Sequence, residues 1–220
     1  MPDAFADRTP VAPADVDHAV ALAVAVFQSA PTDADWDSAA GPLTWTCWET
    51  VEHLIDDLVF YAAAISAPRP WTRHYPPFAW TQPRTEGPSN SLWADRESGL
   101  EGLCHLVEVS GGMLSAVVAV KGPDVRGFHS YGISDPEGFA AMGVIETLVH
   151  VDDVARGLGL AFEPPADLCA RVRDRLFPDA PKDTDPWRTL LWATGRADLA
   201  GHDRVVGKWK WESRPEADRG

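Results

Sequence analysis

The chain has 220 residues, 45% hydrophobic and 24% charged, the proportions of an ordinary globular protein and not of a disordered or fibrous one. Its formal net charge of −14 argues against nucleic acid or an anionic membrane as partner, because both select a basic surface and no Lys/Arg cluster occurs. A small-molecule partner is the expectation, and the length suits one domain over 1–220, with a C-terminal extension from about 160.

No apolar run approaches the roughly 18 residues a membrane span needs, and the opening MPDAFADRTP has neither a basic nor a hydrophobic leader segment. A cytoplasmic protein is therefore expected. Cys47, Cys104 and Cys169 contain no C-x-x-C pair and are too few for a disulfide framework, so they read as buried thiols.

After an irregular start, residues 14–29 (ADVDHAVALAVAVFQS) form a first apolar helix, stopped by Pro31. The second helix opens at Thr46-Cys47-Trp48-Glu49, a capping box in which Thr46 and Glu49 satisfy each other's free N–H groups, and it runs to Ser66. Residues 67–91 are broken by repeated proline and fit neither a helix nor a central strand. With Trp71, His74, Tyr75, Phe78 and Trp80 this segment reads as an aromatic lid over one end of the fold, or as a loop that only covers apolar surface.

A third helix is expected over 92–120, with a bend at Gly111-Gly112, and Gly122-Pro123 ends it. The fourth opens at Ser134-Asp135-Pro136-Glu137 and closes near Gly157 or Gly159. Two short helices follow near 165–176 and 187–194, and RVVGKWKW (204–211) reads as an extended segment docking on the body. No other strand-period run is seen. The class is all-α, and four long helices suggest an up-down four-helix bundle with short additional C-terminal helices.

The fourth helix carries the chemistry. Glu146 and His150, four residues apart, lie side by side on a helix that is apolar on nearly all other sides, and a buried carboxylate needs a partner. Such a pair can grip one cation, although the same spacing also serves plain surface ion pairs. His53, with Asp57 one turn later, is the best source of a third ligand, but its side of the second helix also reads as a solvated acidic face. His74 and His129 are loop residues placed to line a pocket. Cys47, in the first turn of its helix, has a dipole that favours thiolate. No nucleophile elbow, phosphate loop or dinucleotide fingerprint is present.

Three segments, WTCWETVEHLIDD (45–57), DPEGFAAMGVIETLVHVDDVARGLGL (135–160) and LLWATGR (190–196), together resemble the DinB-like superfamily, in its mycothiol-dependent maleylpyruvate isomerase-like branch. The resemblance implies a four-helix bundle holding a divalent metal, usually zinc, with His53, Glu146 and His150 as ligands. Asp57 and Asp153 would then orient the imidazoles and serve the reaction. It further implies an enzyme with a low-molecular-weight thiol, mycothiol, as co-substrate; a homodimer is a further expectation. The thiol is transferred to a small electrophile, or used in a thiol-dependent isomerisation; a metal-dependent hydrolase and a non-catalytic ligand-binding bundle are the alternatives. Arg73 and Arg196 are the candidates for anchoring a substrate carboxylate.

Overall fold

The computed structural model describes residues 8–207 and 209–219. The start of the chain, read above as irregular and leaderless, lies outside them up to residue 7, as does Lys208 in the extended C-terminal segment. The described residues are mostly helical: α1 (Pro13–Gln28), α2 (Cys47–Ser66), α3 (Gly99–Val120), α4 (Pro136–Leu158), α5 (Ala166–Leu176) and α6 (Pro186–Ala193). A small antiparallel hairpin, β1 (Gly127–His129) and β2 (Gly132–Ser134), precedes α4. It was not expected, because strands of three residues are too short to show a period of two.

Helix boundaries follow local chemistry. Thr46 Oγ1 accepts from the Glu49 N–H at 3.1 Å and the Glu49 carboxylate accepts from the Thr46 N–H at 2.8 Å, the reciprocal cap expected at the start of α2. Asp135 caps α4 through the Gly138 N–H at 2.8 Å, and Gly159, at φ 70°, ends it in the left-handed region. α3 begins later than expected. Residues 92–95 are not helical, because the Ala94 N–H is held by the Glu52 carboxylate at 3.1 Å, and a 3-10 turn, Arg96–Ser98, leads into the helix.

α3 continues without a break through Gly111-Gly112. Gly111 instead permits close packing, since a Cβ there would collide with the Val20 side chain of α1. α1 and α2 each pack against both α3 and α4, while α5 lies on α4 and beside α6. α4 is the centre of the molecule: Phe139, Met142, Ile145, Leu148, Val151 and Val154 are fully buried, which explains its nearly all-round apolar sequence.

The segment Arg96–Val120 is long and apolar enough to cross a membrane by length and composition, contrary to the reading that no run comes close. In this fold 44% of its apolar window is buried, and Leu103, Val107 and Leu114 sit in the core.

The C-terminal segment docks on the body as expected. Arg175, fully buried on α5, donates to Asp135 at 2.9 Å and to the Glu212 carbonyl at 3.2 Å, and Ser134 Oγ donates to the Ser213 carbonyl at 2.7 Å. These bonds hold Trp209 and Trp211 against the hairpin. Trp211 is buried, with its ring centroid 5.0 Å from that of His129.

Candidate metal centre

α2 and α4 pack together, and their polar positions converge at one place. His53 and Asp57 from α2 and His150 from α4 each bring a ligating atom to within 4.8 Å of the others. Glu146 joins through His150, its Oε2 3.2 Å from Nε2, and its Oε1 accepts from Tyr61 Oη at 3.4 Å. The structure thus brings His53 and His150, two of the three residues expected as ligands, to one centre; Glu146, the third, lies beside His150 but outside that trio, and Asp57, expected as an orienting group, stands at ligand range instead, 3.4 Å from His53 Nε2.

Both imidazoles are tied by the nitrogen that faces away from the cluster. His150 Nδ1 lies 3.1 Å from Asp153 Oδ2, and His53 Nδ1 lies 3.1 Å from Asn90 Oδ1. With oxygen acceptors there, each Nδ1 carries the proton and each Nε2 turns toward the shared centre, the arrangement in which outer groups orient metal-ligating histidines. Asp153 stands behind His150, at the position where an orienting group was expected. Asn90 was missed, because it is a loop residue 37 positions from His53 and no spacing rule connects them.

Asn90 is positioned by the acidic side of α2. Asp56 accepts from the Ser91 and Leu92 N–H groups at 2.9 and 2.8 Å, and Glu52 accepts from the Ala94 N–H and from Trp48 Nε1. Glu52 and Asp56 are buried. This corrects the reading of a solvated acidic face: the charges fasten the 67–91 loop to the helix and do not face water.

The electrostatics favour a cation. Burial, together with the nearby charge of His150, pushes His53 down to about 4, so its ring is neutral near neutral pH. Burial also opposes charge on His150, but hydrogen bonds to Asp153 and Glu146 outweigh it and push this residue up to about 9. Burial and the Glu146 carboxylate hold Asp57 well above the usual carboxylate range. Two carboxyl groups are therefore crowded beside two imidazoles in a buried site, each group's charge depending on its neighbour's. A divalent ion neutralises the carboxylates and uses both Nε2 lone pairs, so the donor set fits one.

The site has one accessible side. The His53 and Asp57 side chains are 22% and 20% exposed, against 6% for His150 and 9% for Glu146. Trp45 covers the imidazoles, with ring centroids 4.6 Å from His53 and 6.2 Å from His150. On the Tyr61 side stand Tyr75, His129, Tyr131 and Trp211.

Three further expectations are corrected. Arg196 does not await a substrate carboxylate: its guanidinium grips Asp153 at 2.7 and 3.0 Å and stacks on Trp209. Cys47 is fully buried, its thiol pushed up by burial, so the helix dipole does not activate it. The proline-rich loop covers the centre only in part. Phe78 and Trp80 pack on Phe60 of α2 and remain 46% and 49% exposed, whereas Tyr75 turns inward to the hairpin. Arg73 lies in the same loop, beside Trp71 and His74 at a surface cleft.

No protein-family model, curated protein or solved structure matches the chain.

Proposed function

We propose that α1–α4 form an up-down four-helix bundle of the DinB-like kind, in a cytoplasmic enzyme that transfers a low-molecular-weight thiol, mycothiol, to a small electrophile. The observation that supports this reading is the convergence of His53, Asp57, Glu146 and His150 from two helices distant in sequence. In a nitrogen and oxygen donor set of this kind a divalent ion, Zn2+ by preference, supplies Lewis acidity that favours thiolate over thiol.

The chain's own groups do the rest. Asn90 and Asp153 fix the two imidazole tautomers, and Arg196 keeps Asp153 ionised and oriented. Trp45 shields the imidazoles from water, while the exposed side at His53 and Asp57 admits the thiol and the electrophile. Sulfur forms a bond to the electrophilic carbon, the leaving group or π electron pair departs from that carbon, and the thiol proton passes to solvent or product.

The test begins with the metal content of freshly purified protein. Wild type should hold close to one Zn2+ per chain, and His53→Ala and His150→Ala should lose it; Glu146→Ala and Asp57→Ala show which carboxylates ligate. Incubation with a model electrophile and mycothiol should then give conjugate only in the metal-loaded protein. Full metal and full conjugation in His53→Ala would reject the reading. Turnover without thiol points to hydrolysis, and metal without turnover to a ligand-binding bundle.

A further inference from the structure

The turn of the β1–β2 hairpin occupies two acceptor atoms close to the centre. The Ser130 N–H donates to Tyr75 Oη at 2.9 Å, and the Tyr131 N–H donates to His129 Nδ1 at 3.1 Å. Each of these side chains is thereby left with a donor: the hydroxyl proton of Tyr75, and the Nε2–H of His129, which must be the protonated nitrogen when Nδ1 accepts. Among the described residues neither donor meets a protein acceptor at hydrogen-bond distance. The two rings lie 6.0 Å apart, edge to face.

Their neighbours mark the pair as part of a built site. Tyr61 stands between His129 and the centre, its ring 6.0 Å from that of His129 and its hydroxyl bonded to Glu146. Trp211 stacks against His129 and holds the ring, at a centroid distance of 5.0 Å. Tyr131, also in contact with His129, gives its hydroxyl proton to the Trp209 carbonyl at 3.1 Å, so it is not available as a donor. Burial pushes His129 down to about 4 and Tyr75 up, so both present uncharged donors near neutral pH.

We propose that Tyr75 and His129 form a two-donor pocket for a carbonyl oxygen of the electrophile, an inference that rests on the thiol-transfer reading. The chemistry needs such a pair when sulfur adds to an alkene conjugated with a carbonyl. The S–C bond forms at the far alkene carbon, the C=C electron pair shifts toward the carbonyl, and negative charge gathers on oxygen until the thiol proton arrives at the intervening carbon. Neutral donors aimed at that oxygen stabilise the charge as it develops. An alkyl halide gathers no charge on oxygen and gains nothing from them.

The experiment uses the Zn2+-loaded chain as wild type, Tyr75→Phe, His129→Phe and His129→Gln, the last keeping an N–H. Two-bond proton–nitrogen spectra near neutral pH should show His129 as the Nε2–H tautomer, its signal moved by N-ethylsuccinimide, an unreactive carbonyl probe. With mycothiol and N-ethylmaleimide, kcat/KM should fall about tenfold or more in both Phe variants and less in His129→Gln. Conjugation of benzyl chloride and metal content should stay near wild type. An Nδ1–H tautomer, a signal unmoved by the probe, or equal losses on both electrophiles overturns the pocket. If wild type conjugates neither electrophile, thiol transfer fails, while the probe-induced shift still decides the donor pair.

Discussion

The strength of the centre depends on the atoms behind the ligands. Asn90 and Asp153 each accept from an Nδ1 at 3.1 Å, and removing such a partner typically lowers metal affinity by about 10–100-fold. Asn90→Ala and Asp153→Asn should fall in that range, measured by competition with a chromophoric chelator. Asp153→Asn should be the more damaging, because it also leaves the Arg196 guanidinium without its carboxylate. His129 provides a separate pH effect. Its folded value of about 4 lies below its ordinary value of 6.5, so between those values the unfolded chain binds the additional proton. The stability gained by keeping the ring neutral is complete above the ordinary value and is lost as pH falls toward the folded one. Chemical denaturation from about pH 7 to about pH 5 should therefore weaken wild type more steeply than His129→Phe. Glu146 and His150 were legible as a pair because helical spacing carries one residue's position to the next, whereas His53, on another helix, entered only as the best third candidate and through the family resemblance. Asn90, Tyr75 and the hairpin turn were not legible, because loop geometry is set by what the loop packs on.

At the scale of elements, α2 has two duties that its sequence shows as one acidic run. His53 and Asp57 face the centre, while Glu52 and Asp56 secure the loop that carries Asn90. Asp56→Ala leaves the Ser91 and Leu92 N–H groups without their acceptor, at a cost of about 1–3 kcal/mol. We expect that loss in urea unfolding, together with weaker metal binding, since Asn90 is no longer held against His53. Loss of stability with unchanged metal affinity would separate the two duties. The capping residues, the proline-rich loop and most helix ends could be read locally, because they depend on residues within a few positions of one another; the start of α3 could not, being set by Glu52 at 42 positions' distance. The acidic face of α2 was open between water and protein. The answer came from residues 91–94, about 35 positions away in sequence, whose N–H groups need acceptors.

For the whole molecule, metal binding should appear as folding stability, because the candidate ligands come from α2 and α4 and the unfolded chain does not hold them together. An ion present at about 100 times its dissociation constant adds about 2.7 kcal/mol. Added Zn2+ should accordingly raise the melting temperature of wild type, a chelator should lower it, and His150→Ala should respond to neither. The C-terminal segment belongs to the same construction. Arg175 and Ser134 hold it in place, and it brings Trp211 to His129 and Trp209 to Arg196. By itself the sequence determined the helical class, the order of the helices and most of their limits, and the Glu146–His150 pairing on α4, because those depend on short-range periodicity and on end chemistry. Only the tertiary structure decided that Asp57 stands within ligating distance of His53 and His150, that Arg196 is already committed to Asp153, and that a hairpin turn leaves Tyr75 and His129 as free donors. Such facts depend on which groups satisfy one another across the fold, and a buried polar atom takes its partner by proximity in space, to which distance along the chain is no guide.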